Sequence, residues 1–112
     1  MNNTDLFTLY SDHINADPFL SKSTKASYLC DVRNYIRFLD TKSVLNAAPD
    51  TVSDLIISLL QNHRSSSSVY RAAVSVRNFY KFLKAEGYVL SNPAKDFTNG
   101  KIQDLMETYR AE

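Results

Sequence analysis

Cysteine, glycine, proline and tryptophan are nearly missing from these residues, and each shortage narrows the fold. The single cysteine, Cys30, excludes an internal disulfide and suits a reducing compartment. Two glycines and three prolines supply too few turns for an all-β architecture. No apolar run approaches the roughly 20 residues that span a bilayer. The opening MNNTDLFTLYSDH has neither the basic stretch nor the apolar core of a secretory signal. A cytoplasmic, soluble protein is therefore expected. A length of 112 residues and an apolar share of 44% suit one globular domain with its own core.

The motifs of common site chemistry are missing as well. His13 and His63 fall on different segments, with no cysteine or carboxylate at ligand spacing, so no zinc or other metal site is expected. There is no glycine-rich phosphate loop, no G-x-S-x-G and no EF-hand loop. Cys30 has no histidine partner and reads as a small filler. No cofactor and no catalytic residue is expected.

Net charge is also small, at +1, but it is unevenly spread. Residues 1–19 carry −3, residues 20–95 carry +6 and residues 96–112 carry −2. A basic middle between acidic ends suits a polyanionic partner, although a solvated mixed-charge surface has the same composition.

Helical spacing is what the chain has in abundance. Leu6, Phe7, Tyr10 and Ile14 form one stripe over 4–16, which Pro18 stops. A second segment over 23–41 aligns Tyr28, Leu29, Val32, Tyr35, Ile36 and Leu39, with Ser21 or Ser23 as N-cap. A third, over 50–62, takes Asp50 as N-cap and buries Val52, Leu55, Ile56 and Leu59. A fourth, over 66–86, buries Val69, Ala72, Ala73, Val76, Phe79, Tyr80 and Leu83, and Gly87 closes it. Tyr88 to Pro93 reads as extended, because Asn92 precedes a proline. A short fifth helix over 101–111 aligns Ile102, Leu105, Met106 and Tyr109. The expectation is an all-α fold, a single compact bundle of four to five helices. Residues 1–95 form the domain, and 96–112 form a short fifth helix or the start of a linker.

The outward faces share a chemistry. Opposite Val32 the second segment carries Ser23, Ser27, Cys30, Asn34 and Arg37, with Ala26 and Arg33 beside them. Opposite Val76 the fourth carries Ser67, Arg71, Val74, Asn78 and Lys81, with Tyr70 near and Ser75, Arg77 and Lys84 on the flanks. Asp31 lies to one side. Small residues at a helix start let the backbone approach a phosphate chain, where exposed N–H groups favour anions. Lys and Arg neutralise phosphates, while Asn, Arg and Ser reach base edges. A charged outer face is equally the default of any bundle helix.

Two stretches resemble a known family. Ser23-Thr-Lys-Ala-Ser-Tyr28-Leu-Cys-Asp31-Val-Arg33-Asn-Tyr35-Ile-Arg-Phe38-Leu39 is similar to the T-x-x-x-Y-x-x-D-hydrophobic-R-x-aromatic-x-x-F-L pattern of tyrosine recombinases and phage integrases. Residues 66–87, with Arg71, Arg77, Phe79, Tyr80, Phe82 and Leu83, followed by Asn92-Pro93, resemble that family's S-x-x-x-x-R…L-R-x-F-Y-x-F-L…G…N-P pattern. Together they cover roughly residues 4–95. The resemblance implies the core-binding, SAM-like domain, whose second and fourth helices lie against the major groove of duplex DNA. Carried over by position, it places Thr24, Ala26 and Ser27 from the second helix on DNA, and Ser67, Ser68, Tyr70, Arg71 and Ser75 from the fourth. Lys22, Ser23, Lys25, Arg33, Arg64 and Asn78 complete the expected DNA-binding set. It also implies further protomers in a recombination synapse, met through residues 102–109.

Catalysis in that family belongs to a separate domain with a His-x-x-Arg and a nucleophilic tyrosine. Neither histidine here begins such a motif, and Tyr28, Tyr35 and Tyr80 sit in packing patterns. These residues are thus expected to bind DNA without cleaving it. The rival expectation is a helical protein–protein adaptor that does not bind DNA.

Overall fold

The computed structural model describes residues 1–110, which form five α-helices and no strand. The order is α1 (Asn3–Ala16), α2 (Lys22–Leu39), a 3-10 turn (Val44–Asn46), α3 (Pro49–Gln61), α4 (Ser66–Ala85) and α5 (Asn99–Arg110). Position 111, the expected last residue of the fifth helix, lies outside the described residues.

Capping chemistry fixes most of the helix ends. Asn2 caps α1 by accepting from the Asp5 N–H, and Ser21 caps α2 by accepting from that of Thr24. Helix α3 begins one residue before the expected Asp50 cap. Pro49 takes its first position, where a missing N–H costs nothing, and Thr51 Oγ1 accepts from the Ala48 N–H at 3.1 Å. Gly87, at φ +82°, ends α4 in a Schellman motif: its own N–H reaches the Lys84 carbonyl and that of Tyr88 reaches Leu83. His63, at φ +58°, ends α3 in the same way, with bonds to Leu60 and from Arg64 to Leu59. Helix α2 stops at Leu39 rather than 41 because Asp40 turns to φ +56°.

Helix α2 packs chiefly on α4, α1 lies against α2, and α3 is covered by α5. The core runs through Tyr10, Val32, Tyr35, Ile56, Val76, Phe79, Tyr80 and Leu83, all fully buried. The core differs from expectation in two respects. In α3, Leu60 is buried in place of Leu59, which is half-buried. Val44, Ala94 and Phe97, assigned to no stripe, are buried core residues.

Residues 92–97 are an ordered turn, and the Asn92-Pro93 pair explains why. Asn92 Nδ2 donates to the Arg77 carbonyl at 3.0 Å, and its Oδ1 accepts from the Ala94 N–H at 2.9 Å. Arg77 in turn donates to the Phe97 carbonyl at 2.9 Å. These bonds fold the chain back along α4 and deliver α5 to α3. Ile102 and Met106 are then 1% and 9% exposed in this chain's own core. The expectation that residues 102–109 face a neighbouring protomer is corrected for these two, since a side chain packed inside its own domain is closed to a partner.

Candidate nucleic-acid interface

Most of the expected DNA-binding residues lie in the N-terminal halves of α2 and α4; Arg64 precedes α4, and Arg33 and Asn78 lie in the C-terminal halves. Asp31 of α2 meets Arg71 and Ser75 of α4, and Tyr35 meets Tyr80. These bonds hold α2 and α4 together.

Several side chains in that region are already engaged. Lys25 Nζ donates to the Asn15 carbonyl at 3.0 Å, near the C-terminal end of α1. Thr24 Oγ1 accepts from Ser21 Oγ at 2.9 Å, inside the cap of α2. The Arg33 guanidinium stacks 5.4 Å from the centre of the Phe7 ring. Asn78 Oδ1 accepts from the Tyr10 hydroxyl at 2.7 Å, holding α4 to α1. Ser65 caps α4 through the Ser68 N–H and donates its hydroxyl proton to Ser68 Oγ at 3.0 Å. Lys22, Ser23, Ala26, Arg33, Arg64, Ser67 and Arg71 are exposed, whereas Thr24, Lys25, Ser27, Ser68, Tyr70 and Asn78 are half-buried.

Ser75 requires a correction. It is fully buried, three residues after the buried Ala72 on the edge of α4 that faces α2. Its hydroxyl donates to Asp31 Oδ2 at 2.7 Å, so it offers DNA nothing. Asp31 is likewise buried, at 6% exposure, rather than set to one side. Its carboxylate also accepts a bidentate pair from Arg71, Nε to Oδ2 and Nη2 to Oδ1, both at 3.0 Å. The hydrogen bond and the charge of Asp31 push the Arg71 guanidinium above its usual range, so it stays charged. The Arg71 side chain remains 50% exposed.

Around this pair α2, α3 and α4 form a shallow groove. Arg64, Ser68 and Arg71 line it, together with Asn34 of α2 and Leu55 and Leu59 of α3. Asn34, on the outer face of α2, is not among the expected DNA-binding residues, and Asp31 has no expected role there. A signal for Asp31 was there, because Asp31 and Arg71 are both motif positions of opposite charge on neighbouring segments. Among the described residues no three His, Cys, Asp or Glu side chains cluster to hold a metal ion. No described helix is long and apolar enough to cross a membrane.

Comparison with known proteins agrees with this architecture. The family described as phage integrase, N-terminal SAM-like domain, matches residues 7–87. Tyrosine recombinase XerD of Chlorobaculum tepidum is 30% identical over 95 residues, covering 83% of this chain and 31% of the relative. Tyrosine recombinase XerC of Anoxybacillus flavithermus is 30% identical over 88 residues, covering 76% and 29%. XerC of Oceanobacillus iheyensis is 31% identical over 97 residues, covering 83% and 32%. The chain thus spans about a third of the length of these relatives. No solved structure gives a significant match. With a family match running from α1 to the glycine that closes α4, on a bundle of five helices, the protein belongs to the phage integrase N-terminal SAM-like domain family.

Proposed function

We propose that the chain is the DNA-gripping module of a tyrosine recombinase, holding one face of a duplex through α2 and α4 during integration or recombination. The observation that carries this reading is the set of exposed small and cationic side chains at the starts of α2 and α4. Lys22, Ser23 and Ala26 are exposed in the first turns of α2, Ser67 and Arg71 in those of α4, and Arg64 just before it. Helix N-termini and cations attract phosphates, and small side chains admit the backbone. Strand cleavage is not assigned to these residues, so purified chain is expected to form no covalent adduct with intact or nicked duplex. Assembly with further protomers belongs to the same reading. On α5 it falls to outward residues such as Tyr109, 39% exposed.

Fluorescence anisotropy with labelled duplex at several salt concentrations tests the binding. Affinity is expected to fall steeply as salt rises. Arg71→Ala is expected to weaken it more than Arg37→Ala, because Arg37 lies in the last turn of α2, away from the helix start. Affinity insensitive to salt, or equal in wild type and Arg71→Ala, contradicts the proposal and favours the adaptor reading.

A further inference from the structure

We infer that Asp31 is a positioning residue that turns Arg71 into a fixed fork for a guanine edge in the major groove. This rests on the DNA-binding reading above and adds to it which chemical group Arg71 meets.

A guanidinium has five N–H donors in a rigid plane. Asp31 takes the Nε–H and one Nη2–H. Two Nη1–H groups and the second Nη2–H remain, and one from each nitrogen lie side by side at the tip. That pair matches the O6 and N7 acceptors of guanine. The buried carboxylate is itself pinned by Ser75, so the plane of Arg71 is set by three hydrogen bonds behind it. Half of the side chain nevertheless faces outward.

The charge balance favours a base over a phosphate. Arg71 and Asp31 together carry no net charge, and a phosphate at the tip would feel the carboxylate close behind. A neutral base edge asks for direction rather than charge, and direction is what the buttress supplies. A flexible, unpaired lysine or arginine would serve a phosphate as well.

The test is selection of bound duplexes from a randomised pool by the full 112-residue chain, followed by sequencing. Wild type is expected to enrich a guanine at one position, with a preference of about 10- to 100-fold. Asp31→Asn, checked for helical content, is expected to lose that guanine while retaining salt-dependent binding. Arg71→Lys keeps a cation beside Asp31, leaves the Ser75 bond in place and removes the fork; it is expected to lose the same guanine, and it decides the matter should Asp31→Asn unfold. A purely structural Asp31 would weaken all sequences alike and leave the preferred base in place. Retention of the guanine in Arg71→Lys or in folded Asp31→Asn overturns the inference. So does an Arg71→Ala variant whose salt slope falls by about one with base preference unchanged, which marks a phosphate contact. Both results leave the DNA-binding reading standing. A wild-type chain that binds no duplex at all overturns both.

Discussion

Asp31 joins two helices through three accepted hydrogen bonds, so the cost of losing it depends on what is left behind. In Asp31→Ala the Ser75 hydroxyl stays buried without an acceptor, which costs about 1–3 kcal/mol. Removing Ser75 as well should return part of that loss. Urea titration is therefore expected to show Asp31→Ala/Ser75→Ala more stable than Asp31→Ala alone. The tyrosines make a second test. Tyr80 donates to the Val44 carbonyl at 2.8 Å, and its hydroxyl has one proton, so Tyr35 is the donor in their 2.6 Å contact. Burial pushes the Tyr35 phenol up to about 12 and raises Tyr80 as well. An unfolded tyrosine ionises near pH 10, so between about pH 10 and 12 the unfolded chain holds fewer protons than the folded one. Stability should be at its full value below pH 10 and fall as pH rises through that window. Denaturant midpoints across it should show a shallower fall in Tyr35→Phe. Residue roles were the least legible part of the sequence. The spacing put Tyr35 and Tyr80 inside, but Ser75 differs from an exposed serine by its distance from Asp31, which only the packing of α2 on α4 sets.

Helices were legible because their signals are local. Apolar periodicity located all five, and Gly87 marked the end of α4 correctly. The misjudged limits have particular causes. Pro49 displaced Asp50 from the cap, and Asp40 and His63 adopted left-handed or related conformations that composition does not announce. The two C-terminal caps of α3 and α4 predict opposite mutational signs. Gly87→Ala meets no atom within 4 Å, so its cost is the backbone strain of positive φ, about 1 kcal/mol. His63→Gly relieves the same strain and, after the entropy that glycine loses on folding, should gain a few tenths to about 1 kcal/mol. Thermal unfolding followed by circular dichroism, with both variants beside wild type, reads the two signs.

At the scale of the whole molecule, α5 is a structural part of the bundle that it closes. Ile102→Ala empties a fully packed position between α3, α4 and α5 and should cost about 2–5 kcal/mol in a chemical denaturation curve. A helix that merely waited for a partner would show almost no loss. The sequence could not place α5, because its docking depends on the Asn92, Arg77 and Phe97 bonds that fold the connection back. With α5 seated on α3, the exposed starts of α2 and α4 remain as the surface that the DNA-gripping account requires. An amide chemical-shift titration of the 112-residue chain with a short duplex at low salt tests that account most directly. It predicts perturbations concentrated at residues 22–27 and 64–71 that fade as salt is added. Perturbations concentrated on α1, α3 or α5, or none at any salt concentration, would contradict it.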